Sequence, residues 1–119
     1  MDNNRITSKL KAVKSRRVWV AHRSTLGATY KAASGYGEIR ILSQNTAAGK
    51  VNQFKDKSLT KRLRSKLSNS APDDLILLAG YGSIQVLACL IFKEMHGKVN
   101  VLIYNQKTRK YEIRKHFGE

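Results

Sequence analysis

A phosphate is most readily held where a strand gives way, through a glycine turn, to a helix, and one stretch of this chain has that order. The apolar run Leu75-Ile76-Leu77-Leu78-Ala79 leads into Gly80-Tyr81-Gly82-Ser83, and a mostly apolar segment from Ile84 to Met95 follows. At the start of a helix the backbone N–H groups lack partners and the dipole is positive, so an anion is favoured there. A dinucleotide fingerprint needs a third glycine where Gln85 stands, and a P-loop needs Gly-Lys-Ser/Thr where the chain has Gly49-Lys50-Val51. Gly80, Tyr81, Gly82 and Ser83 are therefore a candidate anion-binding turn, and a purely structural turn is the plainer reading.

Other chemistry has weaker support. Metal-assisted hydrolysis needs clustered carboxylates, and Asp73, Asp74, Glu38, Glu94 and Glu112 are the acids available to it. Pro72-Asp73 followed by Glu112-Ile113-Arg114 imitates a restriction-type nuclease pattern, but Arg114 stands where that pattern needs lysine. His22, His96 and His116 are widely spaced, with no cysteine or carboxylate at ligand spacing, and Cys89 lies in an apolar run as an inert core thiol would. No metal ligand set and no cofactor is assigned, and the reading leans away from an enzyme.

Charge is the stronger signal. The 23 Lys/Arg against 8 Asp/Glu leave a formal charge of +15, beyond what solubility asks; such an excess usually has an anionic partner, and a basic but inert surface is the plainer alternative. Three clusters carry it, in residues 1–31, 50–66 and 107–115, around a nearly neutral apolar centre. Neutralising phosphates in this way releases counterions and is the footprint of nucleic-acid backbone binding. The candidate contacts are Arg5, Lys9, Lys14, Arg16, Arg17, Lys55, Lys57, Lys61, Arg62, Arg64 and Lys66. Of the aromatic residues interleaved with them, Tyr36 and Tyr81, each between glycines, and Phe54 are singled out as candidates for base stacking.

The elements that must position these residues can be read in turn. Residues 1–16 form a basic arm or short helix with Ile6, Leu10 and Val13 on one face, and residues 17–119 form the domain. Val18-Trp19-Val20-Ala21 reads as a strand, Ser24 to Gly37 as a loop, and Glu38-Ile39-Arg40-Ile41-Leu42 as a second strand. A long connection, Ser43 to Asp56, precedes an amphipathic basic helix from Lys57 with Leu59, Leu63 and Leu67 on one face, which ends before Pro72. The strand from Asp74 leads to a helix with Ser83 as N-cap and Gly97 just past its end. That helix is apolar enough to need cover on most sides, and a second copy of the chain is one candidate. Val99 to Tyr104 and Tyr111 to His116 then form an antiparallel hairpin. The sum is a single small α/β domain with a mostly parallel sheet, two helices and a C-terminal antiparallel hairpin. Against the helix stands an internal echo: Ser34-Gly35-Tyr36-Gly37 opens a strand, whereas Ala79-Gly80-Tyr81-Gly82 is read as opening a helix.

A length of 119 residues suits one core. With 41% apolar residues and no run near the roughly 18 to 20 needed to span a bilayer, no membrane is expected. The N-terminus lacks a secretory core and Cys89 has no internal partner, which points to the reducing cytoplasm.

Taken in order, Tyr36-Gly37-Glu38-Ile39, Val51-Asn52-Gln53-Phe54, Asp73-Asp74-Leu75-Ile76-Leu77-Leu78-Ala79-Gly80, Gly97-Lys98-Val99-Asn100-Val101-Leu102-Ile103-Tyr104 and Arg109-Lys110-Tyr111 resemble a family of small α/β proteins encoded by tailed bacteriophages. The resemblance covers about residues 36 to 111. The family pattern often has aspartate after the aromatic residue that ends the fourth strand, and Asn105 stands here instead, so no role is carried to that position. The resemblance implies a protein at work inside an infected bacterium. The primary expectation is a non-enzymatic accessory protein that binds DNA or RNA. The alternatives are a protein that docks on an acidic host protein, and an enzyme that binds a nucleotide or phosphate ligand at Gly80 to Ser83.

Overall fold

The computed structural model describes residues 16–119. In chain order the elements are β1 (Arg17–Val20), a 3-10 helix (Lys31–Tyr36), β2 (Glu38–Ile41), α1 (Leu59–Leu67), β3 (Leu75–Leu77), α2 (Gly82–His96), β4 (Asn100–Asn105) and β5 (Lys110–Arg114). The strands form one sheet in the order β2-β1-β3-β4-β5. The pairs β2–β1, β1–β3 and β3–β4 are parallel, and β4–β5 is antiparallel. This is the α/β domain with a mostly parallel sheet and a C-terminal hairpin that the pattern requires.

The central strands are apolar where both faces are covered, at Val18 to Val20, Leu75 to Leu77 and Val101 to Leu102. One face packs Trp19, Ile76 and Val101 against Leu59, Leu63 and Leu67 of α1 and Ile84, Ala88, Ile91 and Phe92 of α2. The other face gathers Val18, Val20, Leu75, Leu77 and Leu102 under Ala33 and Tyr36 of the 3-10 helix. The segment Ser24 to Gly37, expected as a loop, is thus partly a 3-10 helix whose apolar residues close the second face. α2 is only half covered: Val86 and Leu90 are 60% and 61% exposed. Among the described residues no helix is long and apolar enough to cross a membrane.

The sheet edges are protected in two ways. Lys66 extends from α1 to the carbonyl oxygens of Leu42 (3.0 Å) and Ile41 (3.4 Å), and so occupies acceptors beside edge strand β2. Edge strand β5 presents Lys110, Glu112 and Arg114 to water, and charged residues on an edge discourage pairing with other chains. The strand ends at Arg114, short of the expected His116, because His116 has a φ of 50° and turns the chain.

Asp74 joins the strands at their amino ends. Its side chain is buried, and its two oxygens accept from the Arg17 amide (3.0 Å), the Trp19 indole (3.0 Å) and the Ala71 amide (2.9 Å). A buried carboxylate is tolerated only with such a set of donors. Replacing Asp74 with alanine leaves those donors unsatisfied and is expected to cost about 3 kcal/mol. Urea unfolding followed by Trp19 fluorescence measures it, and a loss under about 1 kcal/mol would show that the carboxylate contributes no more than an ordinary hydrogen bond.

Candidate nucleic-acid interface

In an open parallel sheet ligands bind outside the carboxyl ends of the strands, where the strand order reverses. Here the reversal lies between β1 and β3, and it is filled by the chain's own residues. His22 follows β1 and donates its amide to the Ala79 carbonyl at 3.2 Å. Gly80 follows β3 with a φ of +80°, and a Cβ on it would lie 2.2 Å from the His22 carbonyl oxygen. Only glycine lets the two segments close.

Above this junction the Tyr81 ring stacks on the His22 imidazole, with centroids 4.4 Å apart. Nδ1 of His22 pairs with the Ser43 hydroxyl at 2.9 Å. Asn45 donates to the Tyr81 hydroxyl at 3.1 Å and accepts from the Val51 amide at 2.8 Å, so it fixes the connection over the sheet. Burial, the larger influence, lowers the pKa of His22, the nearby Asn45 side chain acts the other way, and the imidazole is neutral near pH 7. A hydroxyl beside a histidine is the start of a nucleophilic pair. Here, however, His22 and Ser43 are both buried, and among the described residues no carboxylate orients the ring. The pair is an interior hydrogen bond that holds the carboxyl edge together.

The glycine turn is part of that packing. Tyr81, in extended conformation, is the N-cap of α2, and the helix starts at Gly82, so Ser83 lies inside the helix and is not its cap as expected. The cause is Gly80, whose left-handed backbone completes the turn two residues early. The Ser83 hydroxyl instead donates to the Gln53 side chain, and Gln85 returns to the Gly80 carbonyl at 2.8 Å. Gly97 does end the helix, at a φ of 78°. The echo segment Gly35-Tyr36-Gly37 closes the 3-10 helix and opens β2, so the two similar turns lead to different structures.

The predicted cations fall into two groups. Arg5, Lys9 and Lys14 lie outside the described residues. Five of the others are engaged within the chain: Arg16 donates to the Tyr36 carbonyl at 2.7 Å and Arg17 to the Asn69 carbonyl. Arg62 pairs with Asp56 and Arg64 with Glu94, each at 2.8 Å. Lys66 caps the carbonyls beside β2, and burial lowers its pKa. By contrast, Lys55, Lys57 and Lys61 are exposed, and no ion pair is recorded for them among the described residues. Lys55 and Lys57 lie in the connection at the carboxyl edge, and Lys61 lies in the first turn of α1.

The sheet brings a further basic cluster to the same edge. The β4–β5 turn carries Lys107, Arg109 and Lys110, and Asn105 holds the turn by accepting from the Lys107 amide at 2.9 Å. Most acids are placed elsewhere: Glu38 and Asp73 lie at the amino ends of β2 and β3, Glu94 near the end of α2, and Glu119 past β5. The turn cluster was visible as a charge count, but its place at the carboxyl edge of the sheet depends on strand order.

The three aromatic candidates also separate. Tyr36 donates its hydroxyl to the Tyr111 carbonyl at 2.8 Å and packs under the sheet. Tyr81 is half-buried against His22. Phe54 is 86% exposed.

A family model described as Phage Pam3 gp32-like protein matches residues 13–115. Searches of curated proteins and of solved structures return no significant match.

Two predictions follow from this edge. Gly80→Ala is expected to cost at least about 2 kcal/mol, from left-handed strain and the clash with His22. Gly82→Ala, with open space at its Cβ, is expected to be neutral or stabilising by up to about 1 kcal/mol; thermal unfolding of the two variants checks the contrast. Second, hydrogen bonds from Arg62 and then Ser58 lower the Asp56 pKa to about 2. Its folded-state value lies below the unfolded one, so its contribution is present above the ordinary aspartate range and is lost as pH falls toward 2. Melting curves across that acid range should therefore fall less steeply for Asp56→Asn than for the native chain.

Proposed function

The chain belongs to the Phage Pam3 gp32-like protein family, and from that premise we propose that it is a non-enzymatic phage accessory protein that holds the phosphate backbone of DNA or RNA. One observation carries the reading: at the carboxyl edge, Lys55, Lys57 and Lys61 stand in water without carboxylate partners among the described residues, with the Lys107–Lys110 turn at the same edge. Like charges gathered on one edge repel one another, and a polyanion relieves that repulsion while releasing its own counterions. The two exposed arginine pairs, Arg62–Asp56 and Arg64–Glu94, contribute little to stability, and a phosphate can compete for either guanidinium.

A second reading has its own observation. Leu26, Val86 and Leu90 are each at least 60% exposed, and a phosphate backbone has no use for apolar side chains. They suit docking on an acidic host protein, with the charges steering the encounter.

Binding to a duplex and to a single strand should weaken with salt, with a log-log slope of about −3 to −5 for a few phosphates. Reversing Lys55, Lys57 and Lys61 to glutamate should lower that slope by about 3 on duplex DNA. No binding at low salt would end the reading. A host protein that stays bound after nuclease treatment of a lysate would favour the second one.

A further inference from the structure

We infer that Phe54 is a stacking platform for an unpaired base, so that the nucleic acid this protein prefers is single-stranded. The inference rests on the proposed nucleic-acid reading and specifies its ligand. A phenylalanine 86% exposed in a frayed loop would say little, but this one is held in place. The Asn52 side chain accepts from the amides of Phe54 and Lys55, each at 3.1 Å, and the Asn52 carbonyl accepts from the Asp56 amide at 3.0 Å. Asp56 in turn anchors the start of α1 by accepting from the Ser58 amide (3.0 Å) and hydroxyl (2.7 Å). The backbone beneath the ring is thus fixed from both sides, and the apolar ring is kept in water at a cost that a partner would remove.

Its surroundings indicate the chemistry of that partner. A shallow recess of about 370 Å³ lies beside the ring, lined by Lys50, Val51, Asn52, Gln53, Phe54 and Tyr81. Tyr81, supported by His22 and Asn45, makes a firm aromatic wall. Lys55 and Lys57 follow the ring in sequence and are exposed. A flat apolar face beside cations fits a base attached to its phosphate. In a duplex the faces of the bases are already stacked, whereas a single strand presents a π-face at every nucleotide. Stacking on one ring tolerates any base.

The test compares the native chain with Phe54→Ala and Phe54→Trp, using labelled oligothymidylate, oligouridylate and a mixed-sequence duplex at fixed salt. Because Phe54 is exposed, both variants should melt at the native temperature. Phe54→Ala is expected to weaken single-strand binding by about 5- to 100-fold and to leave duplex binding unchanged. Phe54→Trp should retain single-strand affinity and lose its new tryptophan fluorescence on binding, while buried Trp19 does not respond. The two oligonucleotides separate a preference for DNA from one for RNA. If single strands bind but Phe54→Ala binds them equally well, or if the duplex binds more tightly than either single strand, the inference fails while the nucleic-acid reading stands. If no nucleic acid binds, both fail. Capture of an acidic peptide that depends on Phe54, without effect of the variant on oligonucleotides, would also overturn it.

Discussion

A single buried carboxylate sets the geometry on which the rest depends. Asp74 takes the amide of Arg17, the indole of Trp19 and the amide of Ala71, and so fixes β3 beside β1 at the amino ends of both strands. Its position agrees with the register, which pairs Val18 with Leu75 and Trp19 with Ile76. Slipping that register by one residue would turn every side chain to the opposite face. It would put Trp19 under the 3-10 helix and expose the apolar stripe of α1 to mismatched partners. One charged group with three donors therefore specifies which residues lie under which layer.

With the amino ends fixed, the carboxyl ends must close as well, and a different kind of contact does this. His22, Ser43, Asn45 and Tyr81 come from the three stretches that follow β1, β2 and β3 and interlock by stacking and hydrogen bonds. Filling the strand-order reversal with side chains removes the crevice in which an α/β domain usually holds a small ligand. On the proposed reading the nucleic acid meets the outer rim of this edge, made of the connection and the β4–β5 turn.

The rim also accounts for the division of labour among the cations. Arginines such as Arg16 and Arg17 lie along the scaffold and bond to carbonyls, as suits a planar group with several fixed donors. The lysines of the connection remain in water, where a flexible point charge can follow a backbone of variable shape. A large formal charge is thus partly a means of satisfying carbonyls, while another part of it stays in water.

Much of the fold was legible because local pattern and burial agree. The leucines at 59, 63 and 67 recur every four residues and do line the sheet, and Leu75-Ile76-Leu77 is apolar throughout because both of its faces are covered. Gly97 ended its helix as its type suggests. Ser83 misled, because its suitability as a cap is a local preference, and Gly80 was committed to a contact with His22, 58 residues away in sequence. The 3-10 helix was hidden for a similar reason: Lys31 to Tyr36 has glycine and serine in a short span, and its role as a lid is apparent only once Val18 and Leu75 lie beneath it. By itself the chain determined its periodicities, its breaks and its excess of positive charge, since these depend on residue type and near neighbours. Which lysines stay free, which aromatic ring faces water and which histidine is buried were decided only when distant segments met, because exposure and pairing are properties of the packed surface.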